Sequence, residues 1–166
     1  MAYDYGCLML KFKVEQEQWN RFINALIKPE DVYTEEEGYG IEYEPHVTIL
    51  YGIHHDKFNL LDLQPILQKL NTIKVSSKQI DAFQNDKFDV LKFNIDSPDL
   101  HAMNKKVCNS MEYTNDYPDY HPHATIAYLK PGTSSKYIRT LSKPYILEPM
   151  KYKYSAPDDS KIYFEV

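Results

Sequence analysis

A chain of 166 residues with 19 Lys and Arg against 24 Asp and Glu carries a net charge of −5. It shows no basic stripe of the kind that holds long nucleic acids by neutralising their phosphates. Its 43% apolar and 26% charged residues are those of a globular protein, large enough to bury its own core, and no apolar run approaches the length of a membrane span.

The opening residues MAYDYGCLMLKF have no basic leader and no cleavage site, so they read as an ordered strand and not as a signal peptide. Over residues 5–13 Leu8, Leu10 and Phe12 alternate against Tyr5, Cys7, Met9 and Lys11. Trp19, Phe22, Ile23, Leu26 and Ile27 follow at helical spacing up to Lys28-Pro29. An acidic loop over 35–40 leads into a strand, Pro45–Tyr51, that Gly52 should end, with His54-His55-Asp56 in the next loop. A second helix is predicted over 62–70 with Pro65 near its first turn, then strands over 73–76, 79–83 and 88–95. Ser97, Pro98 and Asp99 open a third helix as N-cap, first position and dipole partner, with Leu100, Met103, Val107 and Met111 as its apolar stripe. A polar loop, EYTNDYPDY, precedes a strand at Pro122–Tyr128; Thr133 or Ser134 should cap a fourth helix to about Leu141, and strands over 145–155 and 161–166 finish the chain. This order predicts an α+β chain, one bilobal domain over 1–166 with a possible internal duplication. Cys7 and Cys108 are expected to be buried free thiols, which suits a reducing cytoplasm.

Two of these strands nearly repeat one another. PHVTILY and PHATIAY share five of seven residues. Residues i and i+2 of a strand share a face, so His46 projects with Thr48 and His123 with Thr125. Val47, Ile49 and Tyr51, and Ala124, Ile126 and Tyr128, are expected on the opposite faces. Cleaving a phosphodiester without a metal needs one group to remove a proton and another to supply one. Imidazoles titrate near neutrality and suit both tasks, while threonine hydroxyls can meet the charge that develops on phosphate oxygens.

PHVTILYG and PHATIAYLKPG resemble the two signature elements of the 2H phosphoesterase superfamily. That resemblance implies a bilobal α+β fold with a central cleft, catalysis by His46 and His123 as acid and base, Thr48 and Thr125 on the phosphate, and no cofactor or metal. Within the superfamily, YGIEYEPHVTILYG, FDVLKFNI and YTNDYPDYHPHATIAYLKPG are most similar to the phage anti-CBASS phosphodiesterases. This finer resemblance implies cleavage of 3′–5′ linkages in cyclic di- and trinucleotide signals, by attack of the adjacent 2′-hydroxyl, in the host cytoplasm. A 2′,3′-cyclic nucleotide phosphodiesterase, a 2′–5′ RNA-processing enzyme and a non-catalytic nucleotide sponge stand as alternatives.

A small cyclic nucleotide needs stacking surfaces. Phe83 is the first candidate and Tyr5 the second, with Glu148 as a contact to a base or ribose. The spacing of His54, His55 and Asp56 fits no tight zinc pattern, so no metal site is expected. His121 is expected beside the site or at its entry, and His101 on an exposed helix face. Neither long nucleic acid nor a membrane is expected as partner.

Overall fold

The structure, a computed structural model, describes residues 4–166. In chain order the elements are β1 (Gly6–Lys13), α1 (Gln16–Leu26), β2 (His46–Ile53), α2 (Leu60–Leu63), β3 (Ser76–Gln84), β4 (Asp89–Asp96), α3 (Pro98–Ser110), β5 (His123–Leu129), β6 (Arg139–Ile146), β7 (Glu148–Ser155) and β8 (Lys161–Phe164). They build two antiparallel four-stranded sheets, ordered β2-β1-β7-β8 and β5-β4-β3-β6. This is the expected bilobal α+β architecture. The lobes are not sequence halves, however: the chain crosses between sheets at Leu147, and β7 and β8 complete the sheet begun by β1 and β2.

The units β1-α1-β2 and β4-α3-β5 correspond, and each places its His-Thr strand at a sheet edge. Their helices cross over. In α1, capped by the Glu15 carboxylate, Trp19 and Phe22 pack their rings on Phe93 and Tyr145 of the other sheet. Helix α3 starts at Ser97, whose hydroxyl accepts from Leu100 N, and leans on the first sheet. There Asn104 donates to the Ile49 carbonyl and the Tyr152 hydroxyl donates to Met103 Sδ. Leu100, Met103, Val107 and Met111 are all buried, as their spacing predicts. Truncating Trp19, 1% exposed, to alanine carries a cost of roughly 3–5 kcal/mol.

Several predicted elements differ. Asn59 caps α2 through its side chain at Leu61 N, so the helix starts before residue 62 and the proline at 65 ends it, lacking the N–H to continue. The predicted strands over 73–76 and 79–83 are replaced by β3, with an irregularity between Ser76 and Gln79 where Ser77 bonds Gln79. The fourth helix is a single 3₁₀ turn, Ser134–Tyr137. Ser134 gives its N–H and hydroxyl to Asp89 instead, and the next residues pair with β3 as β6. The two cysteines are free but half-buried. No helix among the described residues is long and apolar enough to cross a membrane.

Gly52 does not end its strand; it sits within β2 at φ +95° with Thr114 O 2.0 Å from the place a Cβ would take. Gly132 has φ +82° and open space around it. Gly52→Ala therefore combines strain with a backbone clash and should destabilise by more than about 2 kcal/mol, against about 1 kcal/mol for Gly132→Ala. Denaturant titration of the two variants checks the order; equal losses would contradict it.

Candidate active site

The histidines of the two repeats are held alike. His46 Nδ1 lies 3.0 Å from the Glu44 carbonyl and His123 Nδ1 lies 3.1 Å from the His121 carbonyl. A carbonyl only accepts, so each neutral ring carries its proton on Nδ1 and leaves Nε2 with a lone pair. The carbonyl two residues back thus fixes both the tautomer and the direction of the ring. Strands β2 and β5 lie beside one another as edges of the two sheets. His46 is near enough that its charge helps to lower the His123 pKa. Burial is the larger cause of that lowering, the Lys92 ammonium adds to it, and the His121 carbonyl opposes it.

Each threonine shares its histidine's face, but the tyrosines do not lie opposite as strict alternation predicts. On β2, Leu50 pairs with Leu8 and Thr48 with Met9, leaving Ile49 as an extra residue. On β5, Ala127 pairs with Leu91 and Thr125 with Lys92, leaving Ile126 extra. Both repeats carry the same bulge. It buries two successive residues, Ile49-Leu50 and Ile126-Ala127, and turns Tyr51 and Tyr128 onto the His-Thr faces opposite Cys7 and Val90.

Neighbouring side chains complete both walls. Lys92 stands opposite Thr125 and Asn94 opposite His123; Lys92 donates to Asn94 Oδ1, and Asn94 Nδ2 donates to Asp81 at 3.3 Å. Burial pulls the Lys92 pKa down while Asp81 acts against it. The backbone N–H of Ala82 holds the Asp81 carboxyl below its ordinary range, with help from Asn94. On the other wall Met9 faces Thr48 and Lys11 faces His46. The Cys7 thiol, raised to about 11 by burial, donates to Thr48 Oγ1 at 3.9 Å, which leaves the threonine O–H free to point at a ligand. Tyr120 donates to the Thr48 carbonyl at 2.7 Å.

Of the candidate contact residues, Phe83 meets the site directly. Its ring is 47% exposed, stands edge-on to His123 at 5.1 Å and lies 4.4 Å under Lys92 Nζ. Tyr5 precedes β1, stacked on His54 at 5.6 Å and edge-on to Tyr51. Glu148 opens β7 opposite Lys13 and lines a groove of about 1100 Å³ with Lys74, Ile146 and Pro149; the structure brings it to neither histidine. His54 bonds Thr114 and His55 bonds Tyr154. Among the described residues no three His, Cys, Asp or Glu side chains gather as a metal site. His121 contributes its carbonyl to His123, and the exposed His101 ring rests on Tyr120. Lys92, Asn94 and Tyr120 escaped sequence reasoning, although Lys92 and Asn94 alternate visibly with the apolar Leu91, Phe93 and Ile95.

Residues 44–147, a stretch that holds both repeats, match the model of the 2′-5′ RNA ligase superfamily. The chain belongs to that superfamily. Its members, the 2H phosphoesterases, act on phosphodiester and cyclic-phosphate bonds of nucleotides. Comparison with curated protein sequences finds no match. Among solved structures, Kluyveromyces marxianus Usb1 is similar with a TM-score of 0.59 at 11% identity, over 99% of each chain. The same protein with uridine monophosphate gives 0.54 at 10% identity, over 98% of each chain. Escherichia coli LigT complexed with 3′-AMP gives 0.53 at 12% identity, over 98% of this chain and 95% of that one. At these identities the likeness concerns the 2H phosphoesterase fold.

The His123 arrangement has a spectroscopic consequence. Nitrogen-detected NMR should show both rings as Nδ1–H tautomers when neutral, and His123 should titrate below the ordinary 6.5. Lys92→Met removes a nearby cation and should move the His123 midpoint upward. A midpoint above 6.5 in the native protein, or no upward movement in the variant, contradicts this account.

Proposed function

We propose that this chain is a metal-independent phosphodiesterase that opens 3′–5′ linkages of cyclic di- and trinucleotide signals. The observation that carries the reading is the matched pair of imidazoles, each with Nδ1 tied to a backbone carbonyl and Nε2 free. Burial lowers the His123 pKa, which suits it to the base, and we assign the acid to His46. Nε2 of His123 removes the proton from the ribose 2′-hydroxyl. The 2′-oxygen forms a bond to the adjacent phosphorus as the bond to the 5′-oxygen breaks, and His46 gives that oxygen its proton. The products are a 5′-hydroxyl and a 2′,3′-cyclic phosphate. Water can then open the cyclic phosphate with the two roles exchanged.

Thr48, Thr125 and Lys92 supply donors where negative charge grows on the non-bridging oxygens. Phe83, exposed beside His123, offers a base its stacking face. Tyr5 and Glu148 are proposed contacts toward the periphery of a ligand. In this reading the whole chain works as one bilobal unit in a cytoplasm, and the finer resemblance to phage anti-CBASS enzymes makes the target a host immune signal. Small nucleotides bound to the related folds, uridine monophosphate in Usb1 and 3′-AMP in LigT, favour a second reading. There the substrate is a 2′,3′-cyclic phosphate or a 2′–5′ linked RNA end.

Mass spectrometry of products from cyclic dinucleotides, cyclic trinucleotides and linear RNA ends, all in EDTA, separates these readings. Linearised cyclic nucleotides are expected, with His46→Ala and His123→Ala each lowering kcat by about 10²–10⁴-fold while the circular dichroism stays native. Intact cyclic nucleotides alongside processed RNA ends would shift the assignment to the second reading. Slow release of uncleaved ligand would make the protein a sponge.

A further inference from the structure

The wall that carries His46 holds more positive charge than one phosphate needs. On β1, Lys11 pairs with His46 on one side and Lys151 on the other, and Met9 pairs with Thr48 and Lys153. Tyr163 of β8 pairs with Lys153. Lys11, Lys151 and Lys153 therefore share the face of His46 and Thr48, and their Nζ atoms lie 5.3, 4.9 and 5.8 Å from the centre of the Tyr163 ring. That ring is 45% exposed, whereas Lys11 is buried to 8% exposure.

Only one carboxylate answers this cluster among the described residues: Glu44 reaches Lys11 at 3.4 Å, and Lys151 and Lys153 have no acidic partner. The face of the Tyr163 ring attracts each ammonium, while the like charges repel one another, so an anion placed among them is attracted by all three. The opposite wall differs, because Lys92 there is tied to Asn94 and faces Asp81.

The geometry points to a second phosphate subsite made by Lys11, Lys151 and Lys153 around Tyr163, which takes the phosphate neighbouring the scissile one. Lys151 stands two strands from His46, about 10 Å across the sheet, with Lys11 as the neighbour of both. That spacing is on the scale of one nucleotide. The inference rests on the His-Thr face being the phosphodiester site, and it makes the preferred substrate a nucleotide with at least two phosphates.

Adenosine 3′,5′-bisphosphate and adenosine 3′-monophosphate differ by one phosphate, and cyclisation can cleave neither. Calorimetry on the full chain should find the bisphosphate bound about tenfold more tightly, with the advantage shrinking at high salt. Lys151→Met/Lys153→Met should bring the two ligands within about twofold while monophosphate affinity holds. Lys151→Gln alone gives a milder second variant, and thermal melts check folding. Equal binding of the two ligands by the native protein, no measurable binding of the bisphosphate, or an undiminished gap in the double variant overturns the subsite. With cyclic dinucleotides as substrate, the double variant should raise KM. Cyclic dinucleotides left intact by the native protein would count against the proposed reaction, while the binding gap would still decide the subsite.

Discussion

The geometry of this protein depends on a reciprocal clasp between the two repeats. The segment leading to β2 lies along the open edge of β5: Tyr128 N donates to Gly40 O, Glu42 N to Ile126 O, and Tyr33 N to Tyr128 O. The segment leading to β5 lies along the open edge of β2: His54 N donates to Glu112 O, Thr114 N to Gly52 O, and the Asn115 amide to Tyr51 O. An unpaired edge strand exposes a row of amide groups. Here each histidine strand has that row satisfied by the chain that introduces its counterpart. The Tyr120 bond to Thr48 O extends the same exchange into the site. Neither histidine strand can shift without disturbing main-chain bonds to the other lobe, a rigidity of the kind that paired acid and base groups require.

Charge is distributed with a similar economy. A chain with net charge −5 nevertheless presents Lys11, Lys151, Lys153 and Lys92 on the sheet faces around the histidines. Several carboxylates are spent elsewhere, as where Asp31 binds Lys136 and Tyr137 and Glu36 binds Lys87. Such separation concentrates positive potential on the faces that carry the two histidines.

Much of this was legible from residues alone, and the exceptions have physical causes. The repeated His-x-Thr pairs lie on strands whose alternation holds through the threonine, so their shared face could be read directly. Alternation fails one residue later, because a bulge at Ile49 and at Ile126 leaves no mark in side-chain pattern beyond two successive apolar residues. Tyr51 and Tyr128 were misplaced for that reason. The lysine wall was invisible for another: β1, β7 and β8 come from opposite ends of the sequence, and only their pairing brings Lys11 beside Lys151. The fourth helix yielded to tertiary demand: Asp89 holds Ser134 by its N–H and hydroxyl, and the residues beyond the turn pair with β3 as β6.

The placement of β7 has a bearing on how the molecule is made. Strand β1 emerges from the ribosome before both His-Thr strands, yet its neighbour on one side, β7, follows them both. Domains generally form as their chains emerge, but this sheet cannot close around β1 until β7, which follows both His-Thr strands, has been translated. Contacts of such long sequence separation slow folding. The first His-Thr strand thus waits, with one flank of its sheet open, until β7 follows. A nascent chain therefore holds both motifs before it holds the finished wall beside His46.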